Sequence, residues 1–416
     1  MSADNSTPVV RQWTTWMPVL ALLALAFGWG RDLPALGVTV VALCLFGAVL
    51  AAVHHAEVVA HRVGEPLGSL VLAVAVTVIE VGLIVMLMTG GGDKASTYAR
   101  DTVFAAVMIT CNGIVGLCLL VGAVRNRTVV FNAEGSGGAL ATVITLATMT
   151  LVLPTFTTGA EGPEFTAGQL AFAAVASLGL YILFVTVQTV RHRDYFLPVD
   201  RRHERGATTG QGTRPKSPAR AQGSADGTGG TGAGDRTGAA VQEAPDAGEG
   251  AVGTDDGEEH APPPPNRAAL ISLGLLLLSL ITVVGNAKVI SPTIERGVDN
   301  AGLPYGVVGV VIALMVLLPE TLSAVRSARR DRMQTSLNLA YGSAIASIGL
   351  TVPTIAFASI WLSGDLELGL QPVHLVLLAL TAVVSALTVV PGRANLLQGG
   401  VHLALFSAFI FLSLSP

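Results

Sequence analysis

Residues 67–88 read LGSLVLAVAVTVIEVGLIVMLM, an apolar run whose only charged side chain is Glu80. A second run, residues 305–324, reads YGVVGVVIALMVLLPETLSA and has Glu320 as its only charge. Each run is long enough to cross a bilayer as a helix, which needs about 20 apolar residues. A carboxylate at that depth costs about 2.5–3.5 kcal/mol on insertion scales and usually faces a bundle interior or a water-filled path. The two runs therefore predict a functional site that both glutamates share.

The whole chain has the composition of a polytopic membrane protein. Of its 416 residues, 51% are hydrophobic and 12% are charged, whereas a soluble domain has about 25% charged residues. We expect an all-α fold of eleven membrane helices in a lipid bilayer. Their predicted ranges are 13–30, 34–60, 67–89, 100–124, 137–157, 166–190, 267–290, 304–327, 333–362, 371–390 and 394–414.

The first apolar run, 13–30, lies where a secretory signal would lie. Arg11 is the only basic residue before it, and no clear cleavage box follows. Trp13 and Trp29 stand at its two ends, as in an aromatic belt. We therefore expect a retained first helix within an N-terminal segment, residues 1–33.

Residues 191–266 have a different composition from the rest of the chain. They are rich in Gly, Ala, Thr, Pro and charge, and they include an acidic patch at 255–259 and four prolines at 262–265. Such a segment cannot bury enough apolar surface to offset its ordering entropy. We expect a disordered cytoplasmic linker that divides six helices from five. The acidic patch is interpreted as solvated linker, and a regulatory cation-sensing role stays open.

Basic loop residues predict the orientation of the helices. If the N-terminus is cytoplasmic, most loop arginines fall on the cytoplasmic side, including the cluster at 326–332. The positive-inside rule then places the N-terminus and the linker in the cytoplasm. We expect the protein in the cytoplasmic (inner) membrane. Apart from the first helix, residues 34–190 and 267–416 form two five-helix repeats of opposite orientation. Inverted repeats of this kind bind their ions at the midplane, where Glu80 and Glu320 occupy equivalent helices.

The two glutamates have the chemistry of a cation site. A hard cation such as Ca²⁺ takes six to eight oxygen ligands and prefers carboxylates as the charged ones. Two carboxylates hold one divalent ion or take up protons in its place, which couples the two ions. Thr77, one turn before Glu80, offers a hydroxyl ligand. Pro319 directly precedes Glu320 and predicts either a broken backbone with free carbonyls or a tolerated kink.

Helices 4 and 9 are expected to complete the site. Asn112 is a polar residue in the otherwise apolar helix 4, and Ser343 and Ser347 lie four apart on helix 9. Amides and hydroxyls on such helices supply ligand oxygens or interhelical hydrogen bonds. Close packing of small residues is the alternative interpretation of the serines.

The end of helix 2 carries a polar cluster. His54, Glu57 and His61 have the spacing of one helix face. Such a cluster relays protons or binds a transition metal, and we assign it to an access path. A solvated helix end explains the same residues equally well.

Three stretches resemble a known family: HHAEVVAHRVGEPLGSLVLAVAVTVIEVGLI (54–84), VVIALMVLLPETLSAVRSA (310–328) and NLAYGSAIASIGLTVP (338–353). They are similar to bacterial calcium/proton antiporters of the cation/calcium exchanger superfamily, over most of residues 35–415 except the linker. The resemblance implies eleven helices, two inverted repeats and exchange of a cation for protons. It implies these site residues: Glu80, Glu320, Asn112, Ser343 and Ser347.

The residues around the glutamates differ from the plant and fungal branch of that superfamily. That branch has Gly-Asn-Ala before its glutamates and a histidine after the second. Here residues 77–79 read Thr-Val-Ile, residues 317–319 read Leu-Leu-Pro, and Thr321 follows Glu320. This looks like the bacterial branch, some of whose members also move sodium or potassium.

We therefore predict a secondary active antiporter that exports Ca²⁺ in exchange for H⁺ by alternating access at a midplane site formed by the two glutamates. The alternatives are a monovalent (Na⁺ or K⁺)/proton antiporter and, further off, a passive cation channel. An enzyme is not expected, because the helices contain no His-Glu-x-x-His, Gly-x-Ser-x-Gly or aspartyl-protease signature. We expect no bound cofactor and no nucleic-acid partner.

Overall fold

The computed structural model describes residues 12–31, 33–64, 67–89, 96–197, 264–361 and 366–415. The predicted linker, with its acidic patch, lies almost entirely outside these ranges. Of its first residues, Arg191 ends a helix and Arg193–Phe196 form one turn of 3₁₀ helix.

Eleven helices form the bundle, as the sequence predicts. They are α1 (Trp13–Gly28), α2 (Ala35–Val63), α3 (Leu67–Met88), α4 (Tyr98–Asn126), α5 (Ala133–Phe156), α6 (Ala167–Arg191), α7 (Asn266–Asn300), α8 (Gly306–Arg329), α9 (Met333–Ala358), α10 (Pro372–Val389) and α11 (Leu396–Leu414). Within the described residues, α2 to α11 are long and apolar enough to cross a membrane. The first helix, with 16 residues, is shorter than a full span.

Local side-chain bonds set several helix ends that hydropathy missed. The predicted seventh helix stopped at 290, but α7 continues through a polar segment to Asn300. There the Ser291 hydroxyl donates to Glu295 at 2.9 Å, so these two polar side chains form a hydrogen bond with each other within the helix. The predicted fifth helix began at 137, but α5 starts at Ala133 because the Asn132 side chain accepts from two backbone amides of the first turn.

The broken backbone predicted at Pro319 is wrong. The α8 helix runs through Pro319 without interruption. A proline removes one backbone donor, and here one lost bond does not break the helix. The irregular backbone lies elsewhere, in π-helical turns at Ile109–Ile114 of α4, Thr148–Val152 of α5 and Val187–Arg191 of α6.

Two backbone pairings join loops at opposite ends of the bundle. Strand β1 (Thr128–Val130), between α4 and α5, pairs antiparallel with strand β2 (Arg393–Asn395), between α10 and α11. An isolated antiparallel bridge joins Glu164, between α5 and α6, to Glu367, between α9 and α10. When helices 2–6 are matched in order with helices 7–11, the two loops joined by one pairing correspond to the two loops joined by the other. Because each spanning helix reverses the chain direction, the pairings lie at opposite ends.

Helix packing follows the same correspondence. The α9 helix packs on α6 and on α3, and in the matched positions α4 packs on α11 and on α8. The apolar window of α4 is 83% buried and that of α9 is 61% buried, against 22% for α6 and for α11. The helices α4 and α9 therefore lie at the centre of the bundle. Each packs against two helices, α4 against α8 and α11, and α9 against α3 and α6.

Candidate cation and proton site

A cavity of about 180 Å³ lies between α3, α6, α8 and α9. Both predicted glutamates line it. So do three of the four residues predicted to assist them. The predicted residues in its walls are Glu80, Glu320, Thr77, Ser343 and Ser347. The glutamates come from helices 240 residues apart in the chain, and the fold brings both of them to one cavity.

The carboxylate of Glu80 is buried and held. It is 4% exposed, and the Ser347 hydroxyl donates to its Oε1 at 2.6 Å. Thr351, one turn beyond Ser347 on α9, is fully buried and lies beside Glu80. A charge-assisted hydrogen bond this short fixes the position of the carboxylate, since such bonds are about twice as strong as neutral ones.

Glu320 is only partly buried, but its Oε2 atom is enclosed and has no such partner within the described residues. Glu320 lies close enough to Glu57 and Glu80 to interact with both electrostatically. Like charges brought together in a low-dielectric site repel, and a bound cation or proton relieves that repulsion. An unpaired carboxylate oxygen in this position is available to an incoming ion.

The hydroxyl residues play different parts. The Thr77 hydroxyl lines the cavity and donates to the Ala73 carbonyl of its own helix at 2.9 Å, so its oxygen can still accept or ligate. Ser343 lines the cavity one turn before Ser347. Since no Lys or Arg side chain is among the lining residues, the two carboxylates dominate the charge of the cavity.

Asn112 is not among the residues that line this cavity. It lies in the π-helical turn of α4, fully buried, and its amide donates to the Thr381 hydroxyl of α10 at 2.9 Å. Its carbonyl oxygen is 3.2 Å from Nδ1 of His402 on α11. A π turn contains an extra residue and changes the direction of the side chains within it. The structure thus turns Asn112 toward α10 and α11 rather than toward the glutamates.

The three predicted access residues lie together at the end of α2, outside the cavity walls. Glu57 interacts electrostatically with His54, His61 and Arg326 of α8. Within the described residues, no group of three or more His, Cys, Asp or Glu side chains has the arrangement of a metal site. The geometry therefore favours a charged rim beside Glu320 over a transition-metal site at this helix end.

Several cavity residues escaped the sequence analysis. The α6 helix contributes Tyr181, Phe184 and Gln188, and its apolar sequence contains no buried charge to draw attention. Thr351 could have been found, because it continues the four-residue spacing of Ser343 and Ser347 along α9.

The cavity extends from the glutamates toward one end of the bundle. Leu72 lies near the beginning of α3, Asn338 near the beginning of α9 and Gln188 near the end of α6, and all three line it. These three helix ends lie on one side, because successive helices alternate in direction. The site is therefore approached from that side.

Within the described residues, ten helices are long and apolar enough to span a membrane, and two glutamates from different helices line one cavity among them. This arrangement is typical of membrane ion transporters. The family model described as sodium/calcium exchanger protein matches residues 33–190 and 271–415. These ranges hold all the spanning helices apart from the first residues of α7. The chain belongs to this sodium/calcium exchanger family.

Relatives match along nearly the full length. A candidate ionic transporter of Sinorhizobium fredii, y4hA, is 39% identical over 97% of this chain and 96% of its own. The sodium-potassium/proton antiporter ChaA of Escherichia coli is 31% identical over 94% of this chain and 93% of its own. The crystal structure of the H⁺/Ca²⁺ exchanger CAX covers 96% of this chain and 86% of its own, with a TM-score of 0.60 at 14% identity. The last likeness is one of fold, and it confirms the exchanger architecture.

Proposed function

We propose that this protein exchanges Ca²⁺ for H⁺ at the cavity lined by Glu80 and Glu320. The observation that carries the proposal is that two carboxylates from different parts of the chain line one cavity with no basic side chain in its walls. Two negative charges match one divalent cation, and hydroxyl, carbonyl and water oxygens complete the coordination that Ca²⁺ requires.

The exchange follows from competition for the same oxygens. A carboxylate must be deprotonated to bind a metal ion, so cation binding releases protons and protonation releases the cation. Glu320, with an oxygen free of hydrogen bonds, receives the ion first. Glu80, held by Ser347, supplies a fixed second charge. Thr77 and Ser343 contribute oxygens, and Glu57 with His54 and His61 guides ions to the cavity.

A monovalent cation/proton antiporter is the second candidate. The Escherichia coli relative, which matches this chain along nearly its full length, is named as a sodium-potassium/proton antiporter. A site with few preset ligands beyond the two glutamates suits Na⁺ or K⁺ as well, because hydration then supplies the missing oxygens.

We further propose two inverted repeats, residues 34–190 and 267–416, with residues 1–33 before them and the linker 191–266 between them. The exchanged loop pairings and the matched helix packing support this division. The excess of arginines after α8 supports a cytoplasmic N-terminus and linker in the inner membrane. The cavity then opens to the cytoplasm and loads ions for export.

Transport in everted membrane vesicles tests both candidates. Proton movement is recorded while Ca²⁺, Na⁺ and K⁺ are titrated separately, for the wild type and for Glu80→Gln and Glu320→Gln. We expect Ca²⁺ to drive the largest proton signal, and each glutamine variant to abolish it. Glu134→Gln, an exposed carboxylate at the beginning of α5, is the matched control and should transport normally. Full activity in both site variants would refute the site, and a response to Na⁺ or K⁺ alone would select the second candidate.

A further inference from the structure

A second cavity lies at the opposite end of the bundle from the two-glutamate cavity. Its volume is about 420 Å³. Its walls are the beginnings of α4, α8 and α10, the end of α11 and the loop before α10. The lining residues used below are Arg100, Asp101, Phe104, Val310, Glu367 and Phe409.

The helix correspondence relates the two cavities. The helices α3, α6, α8 and α9 wall the two-glutamate cavity, and their counterparts are α8, α11, α3 and α4. Three of these counterparts, α4, α8 and α11, wall the second cavity. The second cavity therefore occupies the position that matches the first when the two halves of the fold are exchanged.

An aromatic plug separates the cavities. The rings of Phe104 and Phe409 meet edge to face with centroids 5.6 Å apart, and Phe104 also packs on the His374 ring at 4.7 Å. On α8, Val310 lines the second cavity and Leu317 lines the first. Seven residues of helix separate these two positions, which is about 10 Å of packed protein.

A buried arginine occupies the mouth of the second cavity between two carboxylates. Arg100 is 4% exposed, and its Nε lies 2.8 Å from Oδ1 of Asp101. Its Nη1 lies 3.5 Å from Oε2 of Glu367 and donates to the Gly369 carbonyl at 3.4 Å. Two carboxylates and a carbonyl oxygen around one positive group are also the oxygen ligands that a hard metal cation prefers.

Another buried polar group lies near this end of the bundle, although it is not among the residues that line the cavity. Tyr98, at the beginning of α4, is fully buried, and its hydroxyl makes no hydrogen bond within the described residues. It lies within electrostatic range of Asp101 and of two acidic residues of α7, Glu295 and Asp299. Among the lining residues, Asp101 and Glu367 are the carboxylates that face Arg100.

We propose that this cavity is a second cation-binding vestibule and that Arg100 is its tethered counter-cation. With Arg100 in place, Asp101 and Glu367 leave one net negative charge, which attracts a metal cation without retaining it. Without Arg100 the mouth has two uncompensated carboxylates, and a cation binds there more tightly. The vestibule would receive ions from the two-glutamate cavity, so this role rests on the proposed function, although binding there is measured separately.

Binding is measured in a background that removes the first site. The purified full-length Glu80→Gln/Glu320→Gln protein is titrated with Ca²⁺ by calorimetry, alone and with added mouth substitutions. We expect Arg100→Gln to tighten Ca²⁺ binding about tenfold, the ratio that about 1.4 kcal/mol produces. Arg100→Lys keeps the charge and should stay close to the background. Arg296→Gln, an exposed arginine of α7, removes a charge without touching the cavity and should change nothing.

The Glu367→Gln variant should change the Ca²⁺ affinity in the opposite direction. Its result does not depend on whether the Arg100→Gln variant folds. Glu367 is partly exposed, and its backbone bridge to Glu164 is retained in the variant. Ca²⁺ binding should weaken severalfold in this variant. Equal affinity in Arg100→Gln and Arg100→Lys, or no effect of Glu367→Gln, would overturn the vestibule. Neither result depends on the exchange assay, which requires the intact glutamates.

Discussion

The two glutamates occupy matched helices of the bundle but have different surroundings. Glu80 on α3 accepts a short hydrogen bond from Ser347 of α9, with Thr351 beside it. Glu320 on α8 has a buried oxygen without a partner. On α4, Asn112 lies in a π turn and donates to Thr381 of α10 rather than to Glu320. From this difference we expect the two carboxylates to have separate tasks, one held in place and one available to an incoming ion.

Shortening each glutamate side chain by one methylene group should have the largest effect and tests the difference between Glu80 and Glu320 most strongly. Glu80→Asp withdraws the carboxylate from Ser347 and should lower cation-driven proton movement about 100-fold, since misplacement by about 1 Å costs that much. Glu320→Asp disturbs no hydrogen bond of Oε2 and should cost less, about tenfold. Initial rates in vesicles at a saturating cation concentration measure the two effects. Equal losses would contradict the division into a fixed and an available carboxylate.

Removing the serine hydroxyl should have the next largest effect. Ser347→Ala deletes a hydrogen bond to a charged group, worth about 1.5–3 kcal/mol, so the cation KM should rise at least about tenfold. Ser343→Ala is the matched comparison, because Ser343 lines the same cavity one turn away and, within the described residues, makes no hydrogen bond to either glutamate. Because Ser343 is one of several proposed oxygen ligands, its substitution should raise the cation KM less, about threefold, the effect of one neutral hydrogen-bonding group. A larger rise in KM for Ser343→Ala than for Ser347→Ala would contradict the assignment of Ser347 as the residue that holds the carboxylate.

Thr351→Val sharpens the same comparison with a smaller change. The Thr351 hydroxyl is buried beside Glu80 and has no hydrogen-bond partner in the part of the chain that the structure describes. Replacing it with a methyl group of similar size should alter the cation KM about threefold, less than the loss of Ser347. A loss greater than that of Ser347→Ala would make Thr351 the residue that holds Glu80.

Pro319→Ala should have the smallest effect. The α8 helix is continuous through this position, so the alanine variant adds one backbone hydrogen bond without moving Glu320. Transport should stay within about twofold of the wild type. A strong loss of activity would show that Pro319 shapes the ion site after all.

The helical fold could be predicted because a membrane exposes it in the sequence, and the same reasoning singled out the two glutamates that line one cavity. Apolar runs mark the helices, and an isolated glutamate within such a run has few explanations other than function. Likewise, the separation of four residues between Ser343 and Ser347 predicts that they share one face of α9, and both line the cavity.

Two features could not be predicted, for physical reasons. The π turn that directs Asn112 away from the cavity depends on packing against Thr381 and His402, which lie about 270 and 290 positions further along the chain. The apolar walls from α6 carry no charge or motif, so only the fold identifies Tyr181 and Gln188 as site residues. Of the two interpretations of Pro319, the broken backbone is wrong and the tolerated proline fits, because a proline removes one hydrogen bond and the helix continues through it.

The central claim is that cation and protons compete for Glu80 and Glu320, and proton release on cation binding tests it most directly. The purified protein in weakly buffered detergent solution is mixed with Ca²⁺ while a pH-sensitive dye reports released protons. We predict release in the wild type, cation affinity that falls as the pH is lowered, and no release in Glu80→Gln/Glu320→Gln. Proton release of wild-type size from the double variant would contradict the account.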